Sequence, residues 1–537
     1  MERPPGCCEM KKPSAVAEAL RPLRNRAYAV LWTATVVTNI GWWMYTAAAA
    51  WLMTDLSMDP LMVSLVQVSS SLPMFLLALP AGALADVVDK RRFLIWAESA
   101  IVVISAAFAA LVWLDRISPV TLLLFTFLLG AGAAIVAPAW QSIVPLLIED
   151  KEELPVAIAL NSLGVNISRA IGPALVGVLT VGFGVSAPFW VNAVSNLGSV
   201  GGLLWWRAPK QRSSRLPAER FLAANRTGAR YARHNPLLRA TLLRAVGFFI
   251  FASAYWALLP LVARTQIGGG PTLYGVLLGA IGAGAIAGAL ALPKLKARLD
   301  PDGVVVAASI GTAVALGLFG VAREPWTAFG ASVLAGMCWI AAVSSLNVSA
   351  QYALPDWVRG RGLAIYVTAF SAAMAVGSAG WGKVASVIGL PTTHVVAAAC
   401  ALAAIPLMRR WKVQAAGRID LAPSMHWPPP VVAGPIENDA GPVLVTVEYD
   451  VPADNRGAFL QALERLSAER RRDGAYAWGV FEDTARRGRF VETFLVESWL
   501  EHLRQHERVT KADHAIEEHV HSFLSSEPKT THLVTPT

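Results

Sequence analysis

The most constraining feature of this sequence is a series of long apolar stretches with almost no charge, such as residues 101–114, 121–135 and 304–321. With its flanks, each stretch approaches the roughly 20 residues that a helix needs to cross a bilayer. In the whole chain, 55% of the residues are hydrophobic and only 15% are charged. A soluble surface cannot be built from this composition. The sequence therefore predicts a protein that crosses a membrane many times.

A hydropathy window of about 19 residues divides the apolar sequence into twelve predicted helices, six before and six after a basic segment. The first six are residues 28–53, 62–85, 93–114, 119–140, 155–183 and 188–206. The second six are residues 240–263, 273–292, 303–321, 326–350, 363–387 and 393–408. The pentapeptide Ala-Gly-Ala-Leu-Ala ends the second helix of each set, at 81–85 and 287–291. The predicted fold class is an all-α polytopic membrane protein with two parallel six-helix halves.

Lysine and arginine are concentrated in every second loop. The basic segments are residues 21–26, 90–92, 207–239, 294–298 and 409–412. The loops between them, at 55–60, 182–188 and 268–272, are nearly free of basic residues. By the positive-inside rule, both termini are expected in the cytoplasm of a bacterium and the helices in its inner membrane. The net charge of +9 is thus explained by the lipid bilayer as partner, and nucleic acid is not expected.

The chain changes character after the twelfth predicted helix. Residues 409–441, with three consecutive prolines, resemble a linker, and the charged sequence after it alternates between strand and helix patterns. Strands are predicted at 443–449, 476–482, 489–497 and 531–534, and helices at 454–472 and 498–523. The order βαββαβ predicts a cytoplasmic α+β module of the ferredoxin-like type. The predicted divisions are a tail (1–27), a first half (28–206), a basic linker (207–239), a second half (240–408), a linker (409–441) and the module (442–535).

The loop after the second helix has the sequence Gly-Ala-Leu-Ala-Asp-Val-Val-Asp-Lys-Arg-Arg, from residue 82 to 92. It resembles the loop signature of the major facilitator superfamily, in which a glycine allows close helix contact and charged residues hold one conformation. The resemblance implies these roles for Gly82, Asp86 and Arg91. Val87 departs from the signature, where a basic residue is usual, and Asp89 stands in place of a glycine. Topology-setting by the basic loop is the alternative interpretation.

Two further motifs narrow the resemblance. Gly172-Pro173 in the fifth helix and Asn39-Ile-Gly-Trp42-Trp43 in the first helix are similar to those of the enterobactin-exporter-like branch, the transmembrane secretion effectors. That resemblance covers about the first 410 residues and implies export of a small-molecule substrate.

Arg169 is the candidate that physical reasoning singles out. It lies about 14 residues into its predicted helix, so at 1.5 Å per residue it is close to the middle of the bilayer. A cation there needs a cavity or a partner, which makes Arg169 a candidate for an anionic group or a counter-ion, or alternatively a structural anchor. Glu98 is the candidate for proton coupling, with a solvated helix end as the alternative.

The remaining membrane candidates are polar and aromatic side chains. Asn39 and Asn166 are candidates to line a polar cavity or to bond neighbouring helices. Trp42 and Trp43 are candidates to stack on a ring of the substrate or to anchor the helix at the interface.

No nucleotide site is expected, because residues 377–384 come close to a phosphate-binding loop but carry Val384 where Ser or Thr is required. The expected energy source is a proton gradient, with no cofactor. The predicted function is proton-driven export by alternating access, while a membrane-anchored enzyme and a non-transporting receptor remain alternatives.

In the module, residues 499–506 resemble the second helix of the antibiotic-biosynthesis-monooxygenase-like fold. That resemblance implies a homodimer formed by pairing sheets, and, as an alternative activity, cofactor-free oxidation of an aromatic substrate. Trp478, His502 and His506 are the residues it points to. His502 and His506 lie one helical turn apart, but no third ligand follows at a suitable spacing, so no metal site is predicted.

Overall fold

The computed structural model describes residues 20–148, 153–207, 221–355, 357–413, 420–428 and 430–536. Within these ranges, six long helices precede a short helix and six follow it. The first six are α1 (Arg26–Leu56), α2 (Pro60–Val87), α3 (Lys90–Trp113), α4 (Pro119–Leu147), α5 (Leu154–Phe183) and α6 (Ala187–Trp205). The short helix is α7 (Phe221–His234). The second six are α8 (Pro236–Leu261), α9 (Pro271–Lys296), α10 (Pro301–Val321), α11 (Pro325–Tyr352), α12 (Arg359–Ile388) and α13 (Leu390–Met408).

Ten of the described helices are long and apolar enough to cross a membrane by length and composition. The two long helices that do not meet this test are α1 and α6, which carry polar residues such as Asn39 and Asn192 in their interiors. Both pack within the first half, α1 against α5 and α6. The exact count of twelve spans is therefore not confirmed by hydropathy, although twelve long helices form.

Local sequence explains where these helices begin and end. Asp59, Ser118 and Asp300 each cap a helix by accepting a hydrogen bond from its first turn, and proline follows each of them at the first helical position. This combination is a strong start signal because proline lacks the N–H that would otherwise be unpaired. The helices α5 and α12 end at Gly184 and Gly389, whose φ angles of +89° and +83° favour glycine.

The two halves meet mainly where α2 packs on α12 and α5 packs on α9. Three glycines make this approach close. A Cβ on Gly177 would lie 2.8 Å from the Cα of Thr272, and one on Gly282 would lie 2.9 Å from the Cα of Ala170. A Cβ on Gly382 would collide with Ser64. We call the end of the bundle that holds the α1–α2 and α8–α9 connections the far face, and the opposite end, where α7 lies, the linker face.

The C-terminal module is a four-stranded antiparallel sheet with helices on one face. Its elements are β1 (Val443–Asp450), α14 (Arg456–Arg472), β2 (Tyr476–Glu482), β3 (Arg489–Val496), α15 (Trp499–Arg508), α16 (Lys511–His521) and β4 (Lys529–Val534). The strand order is β2-β3-β1-β4, which places β4 at an edge. Alternate residues of β1 and β3 are buried under the helices, as period-two patterning requires.

One module prediction is wrong. The sequence pattern predicts one helix over 498–523, whereas the structure has α15 and α16 separated at Val509 and Thr510. Thr510 forms a capping box with Asp513, in which the threonine hydroxyl accepts from the Asp513 N–H and the carboxylate accepts from the Thr510 N–H. This start signal interrupts the helix although the apolar periodicity continues.

The module docks on the linker face through α7 and the α11–α12 connection. Arg226 and Arg230 of α7 pair with Glu497 and Glu501, at 3.0 and 3.5 Å. On the membrane side, the Tyr231 hydroxyl and the Asn235 amide of the same segment donate to the carbonyl of Ala353. The helix α7 therefore joins the module to the second half.

Two cation–π contacts extend this interface. The Arg508 guanidinium lies 4.4 Å from the Trp357 ring, and that of Arg472 lies 5.4 Å from the Tyr231 ring. The segment 420–428, which the sequence assigns to a linker, lies against the module, where Pro423 faces Thr510 in an antiparallel bridge and the Ser424 N–H donates to the Val509 carbonyl.

Candidate functional site

The main candidate site is a cavity of about 340 Å³ between the two halves of the bundle. Helices α1, α2, α4 and α5 form one side, and α8, α9, α11 and α12 form the other. Its walls combine aromatic rings with a few polar groups, the composition expected of a site that binds a small organic molecule.

Arg169 lies in the wall of this cavity, as its position in the predicted helix suggests. Its guanidinium carbon is 4.9 Å from the centre of the Trp43 ring, within the range of a cation–π contact. Its Nε is buried and has no hydrogen-bond partner among the described residues. A buried unpaired donor costs about 1–3 kcal/mol, so this group is available to a bound molecule.

Gly172 and Pro173 explain how Arg169 comes to this place. A Cβ on Gly172 would lie 2.8 Å from the carbonyl oxygen of Ile40, so only glycine lets α5 approach α1 this closely. Pro173 lies in the cavity wall. The predicted motif is thus packed beside the candidate cation, one turn along the same helix.

A row of indole rings crosses the cavity from the first half to the second. The ring of Trp43 is 6.5 Å from that of Trp256, which is 5.3 Å from that of Trp339. The Nε1 groups of Trp256 and Trp339 are buried without a partner among the described residues. Trp42 also lines the cavity and stacks on Tyr45. The cavity thus offers unpaired N–H donors beside flat aromatic walls.

Sequence reasoning identifies Trp42 and Trp43 but misses Trp256 and Trp339. Position along the helix is the sequence signal that could have identified Trp339, which falls at the middle of α11. Tryptophans that anchor a helix at the interface lie near its ends. A tryptophan in the centre of a span therefore points to a cavity or a helix contact.

The other membrane candidates lie elsewhere. Asn166 is exposed and its amide donates to the carbonyl of Ser162, one turn back in its own helix. Neither Asn39 nor Asn166 is among the residues that line the cavity. Glu98 is only 5% exposed, and its Oε2 has no partner in the described part of the chain. It is therefore a buried carboxyl group, and it also lies outside the cavity wall.

The loop motif is described only in part. The surroundings of Gly82 and of the Asp86 side chain lie outside the described set. Arg91 donates from Nε and Nη2 to the carbonyls of Leu203 and Leu204, at 2.9 and 2.8 Å, and so caps the last turn of α6. Asp89, the departure from the signature, caps α3 by accepting from the Arg92 N–H.

Near the far face the two halves are joined by a contact that the sequence does not suggest. Arg264, just after α8, forms an ion pair with Asp55 at the end of α1 and donates to the Thr54 hydroxyl at 2.9 Å. It also lies over the ring of Trp51, which stacks on Tyr274 at 5.8 Å. Both halves contribute to this cluster, which lies between the cavity and the far face.

In the module, the three predicted residues lie on the helix-covered side of the sheet, where His502 is buried and Trp478 and His506 are half-buried. The Trp478 Nε1 donates to Glu492, which also accepts from the Tyr449 hydroxyl, both at 2.7 Å. His502 and His506 lie with their Nε2 atoms 3.3 Å apart. His532 of β4, which is 26 residues away in the chain and carries no local signal, joins them.

Comparison with known families matches residues 17–537 to the family described as transmembrane secretion effector. Among curated proteins, the chain is similar to the staphyloferrin A transporter of Staphylococcus aureus (strain NCTC 8325 / PS 47), at 24% identity over 48% of this chain and 64% of that protein. It is also similar to the enterobactin exporter EntS of Shigella boydii serotype 18, at 29% identity over 54% of this chain and 68% of that protein. The chain thus spans about two thirds of the length of these relatives.

Solved structures show the same fold at low identity. A bacterial homolog of the human lysosomal transporter Spinster, in an inward-facing and unoccupied conformation, aligns with a TM-score of 0.57 at 14% identity, over 73% of this chain and 98% of that one. A POT family transporter in complex with a thioalcohol-conjugated peptide aligns with a TM-score of 0.59 at 12% identity, over 72% and 96%. At these identities the likeness shows the fold alone.

These findings confirm the predicted major facilitator fold with a small α+β module at its C-terminus. The family and the relatives are transporters and not enzymes. With its apolar helices, the chain is a multi-pass protein of the bacterial inner membrane, and it belongs to the transmembrane secretion effector family.

Proposed function

We propose that this protein is a secondary transporter that exports a small amphipathic molecule by alternating access. The observation that carries the proposal is the cavity between the halves, where Arg169 and the indole N–H groups of Trp256 and Trp339 are unpaired beside aromatic walls. A molecule with aromatic rings and acceptor oxygens satisfies both features. A site made by both halves also changes its access when they move relative to each other.

The names of the relatives support both the direction of transport and the class of substrate. One is named as an exporter of enterobactin and the other as a transporter of staphyloferrin A. We propose a siderophore, a drug or a metabolite with comparable oxygen-rich, amphipathic character, because such a molecule complements the donors of the cavity. Export follows from the exporter relative and from the Gly172-Pro173 motif of α5.

The linker face is proposed to lie in the cytoplasm, with both termini on that side. The basic loops at 90–92 and 294–298 lie at this end, and the positive-inside rule favours their retention there. We propose that this conformation receives substrate from the cytoplasm, because Arg264 with Asp55 and the close contacts of Gly177 and Gly382 join the two halves near the far face. A C-terminal fluorescent reporter that folds only in the cytoplasm tests the orientation.

The first experiment measures transport into everted membrane vesicles for a panel of siderophores and fluorescent drugs. Arg169→Ala is expected to lower the uptake of the transported compound about tenfold or more, since removing a buried charged donor costs several kcal/mol of binding. Arg116→Ala, in the exposed α3–α4 connection, is the matched control. Uptake by Arg169→Ala equal to that of the control removes Arg169 from the mechanism, and no uptake of any compound by the unmodified protein favours a non-transporting receptor.

Coupling to protons is proposed through Glu98, the buried carboxyl group of α3. Its unpaired Oε2 and its low exposure are typical of a group that is neutral for part of a cycle. Collapsing the proton gradient with an uncoupler should abolish concentrative uptake, and Glu98→Gln should retain binding but lose its response to the gradient. Glu324→Gln, at an exposed helix start, is the control. Unchanged transport after the gradient is collapsed refutes proton coupling.

We also propose that the module forms a homodimer through the outer face of its sheet. The register places Tyr476, Leu495, Leu444 and Leu533 in one row across this face, and Leu533 is 51% exposed. The module's own helices cover the other face of the sheet, and the module contacts the membrane bundle through Glu497 and Glu501, which pair with α7. The outer face of the sheet is therefore open to a second copy. Leu533→Asp is expected to convert a dimer to a monomer in light scattering, and a monomeric unmodified protein refutes the proposal.

A further inference from the structure

Three histidines of the module converge between α15 and the edge strand β4. His502 and His506 come from one face of α15, and His532 comes from β4. One ring nitrogen of each lies within 4.8 Å of those of the other two. The ring centres of His502 and His506 are 4.9 Å apart, and those of His502 and His532 are 4.7 Å apart.

The sheet register explains why His532 reaches this place. It pairs with Val445 of β1, and Val445 is buried under the helices. Directly opposed residues of an antiparallel pair project from the same face, so His532 projects towards α15. The residues on either side of it, Thr531 and Leu533, lie on the outer face.

The spacing of the first two ligands fits one metal ion. The Nε2 atoms of His502 and His506 are 3.3 Å apart. Two imidazoles bound to one tetrahedral Zn²⁺ at roughly 2.0–2.1 Å place their nitrogens about 3.3–3.4 Å apart. A direct N–H···N hydrogen bond also has this length, but it joins only two of the three rings and leaves His532 without a role.

Surrounding groups orient the rings as ligands. The Gln505 amide, 2% exposed, donates from Nε2 to the carbonyl of Asp473, which leaves its Oε1 to face the Nδ1 of His502 at 3.4 Å. This fixes the tautomer in which Nε2 of His502 carries the lone pair. The backbone of Trp427 bonds the ring of His506. Partners of this kind are typical around metal-binding histidines.

Burial disfavours the protonated form of all three rings. Burial, followed by the proximity of the other two histidines, lowers the pKa of His502 to about 3. Burial and the neighbouring His532 lower the pKa of His506 to about 4, and burial also lowers the pKa of His532.

We propose that His502, His506 and His532 form a binding site for one divalent transition-metal ion of the Zn²⁺ type. An all-imidazole set favours such ions over Mg²⁺ and Ca²⁺, which take oxygen ligands. A fourth position is left for water or another small ligand. The site is independent of what the cavity transports.

A second group of possible metal ligands in the module, His426, His514 and Glu517, is less suited to bind an ion. The Glu517 carboxylate already accepts from His426 at 2.6 Å and from Trp427 at 2.9 Å, and it pairs with Arg470 at 2.8 Å. Its oxygens are committed to these contacts. This group therefore supplies the natural comparison for the experiment.

The test uses the full chain, purified in detergent without a polyhistidine tag and treated with a chelator. Zn²⁺ titration by calorimetry is expected to show one ion per chain, and Co²⁺ should give the visible absorption of a tetrahedral site. His532→Gln should weaken Zn²⁺ binding by about 100-fold. His506→Asn provides a second variant in case one of them misfolds, and hydrogen exchange of α14 verifies the fold of each.

His514→Ala, in the second group, and His519→Ala, at the exposed end of α16, are the controls and should bind Zn²⁺ as the unmodified protein does. Zn²⁺ should also slow hydrogen exchange in α15 in the unmodified protein but not in His532→Gln. No bound ion, or an affinity for Zn²⁺ that His532→Gln leaves unchanged, overturns the proposal. Loss of the ion in His514→Ala instead assigns the metal to the other group and equally overturns it.

Discussion

A buried cation, Arg470, organises the interior of the module. Its guanidinium pairs with Glu517 at 2.8 Å and lies 4.8 Å from the Trp427 ring and 5.5 Å from the Phe494 ring. Burial alone would raise the pKa of Glu517, but the charge of Arg470 and the hydrogen bonds from His426 and Trp427 lower it to about 2. The carboxylate is therefore ionised throughout the physiological range.

Replacing Glu517 with Gln should destabilise the module by roughly 1.5–3 kcal/mol, because Arg470 loses its hydrogen-bonded carboxylate and keeps only Glu492, 3.8 Å from its Nε, as counter-charge. Since the pKa of Glu517 is lower in the folded module, its ionisation stabilises the fold above pH about 4.5, and this contribution is lost as the pH falls towards 2. Hydrogen exchange of α16 in increasing urea measures the free energy of unfolding of the module. The difference in this free energy between the unmodified protein and Glu517→Gln should shrink below pH 4.5. The exposed Glu518→Gln is the control, and a pH-independent difference contradicts this account.

Trp339 of the cavity wall is the second residue for which we expect a measurable effect. Trp339→Ala should weaken binding of the transported compound about tenfold, since its ring is part of the cavity wall. Trp326→Ala, at the 79% exposed start of the same helix, is the matched control. Tryptophan fluorescence quenching by the compound measures both. Equal affinities for the two variants mean that the substrate does not touch this wall.

At the scale of elements, the break between α15 and α16 depends on the cap that Thr510 provides for α16. Thr510→Ala removes the side chain that caps α16 and should lower the stability of that helix by about 1–2 kcal/mol. Thr510→Ser keeps the hydroxyl and should behave as the unmodified protein does. Hydrogen exchange in α16 measures both, and equal rates in Ala and Ser show that the Asp513 carboxylate alone maintains the helix start.

At the scale of elements, the sequence predicts the helices well because hydropathy, basic loops and caps agree. The predicted second and eighth helices lie within the bounds of α2 and α9, and β2 is predicted with its observed ends. The Thr510 break escapes prediction because apolar periodicity runs through it. Contacts between distant segments, such as His532 with His502 or Arg264 with Asp55, have no local pattern at all, since only the tertiary fold brings them together.

Over the whole molecule, the module is tied to α7 and to the α11–α12 connection, and so to the second half. The Arg230→Glu change should disrupt docking, because it places like charges next to each other at Glu501. Hydrogen exchange in α7 should rise several-fold. Arg465→Glu, on the exposed side of α14, is the control and should have no effect. Unaltered exchange in Arg230→Glu means that the cation–π contacts suffice for docking.

In the proposed alternating-access cycle, the glycine contacts between the halves contribute to the equilibrium between the two access states. A methyl group on Gly177 meets the Cα of Thr272, which is backbone and cannot rotate away, so Gly177→Ala penalises only the state with a closed far face. A cost of about 1.4 kcal/mol changes the ratio of the two states tenfold. Spin-label distances across the far face should lengthen in this variant but not in Gly182→Ala, whose methyl group meets nothing within 4 Å. The single methyl group would then act as a selector of conformation, and the variant would make the opposite state of the transport cycle the major species in solution.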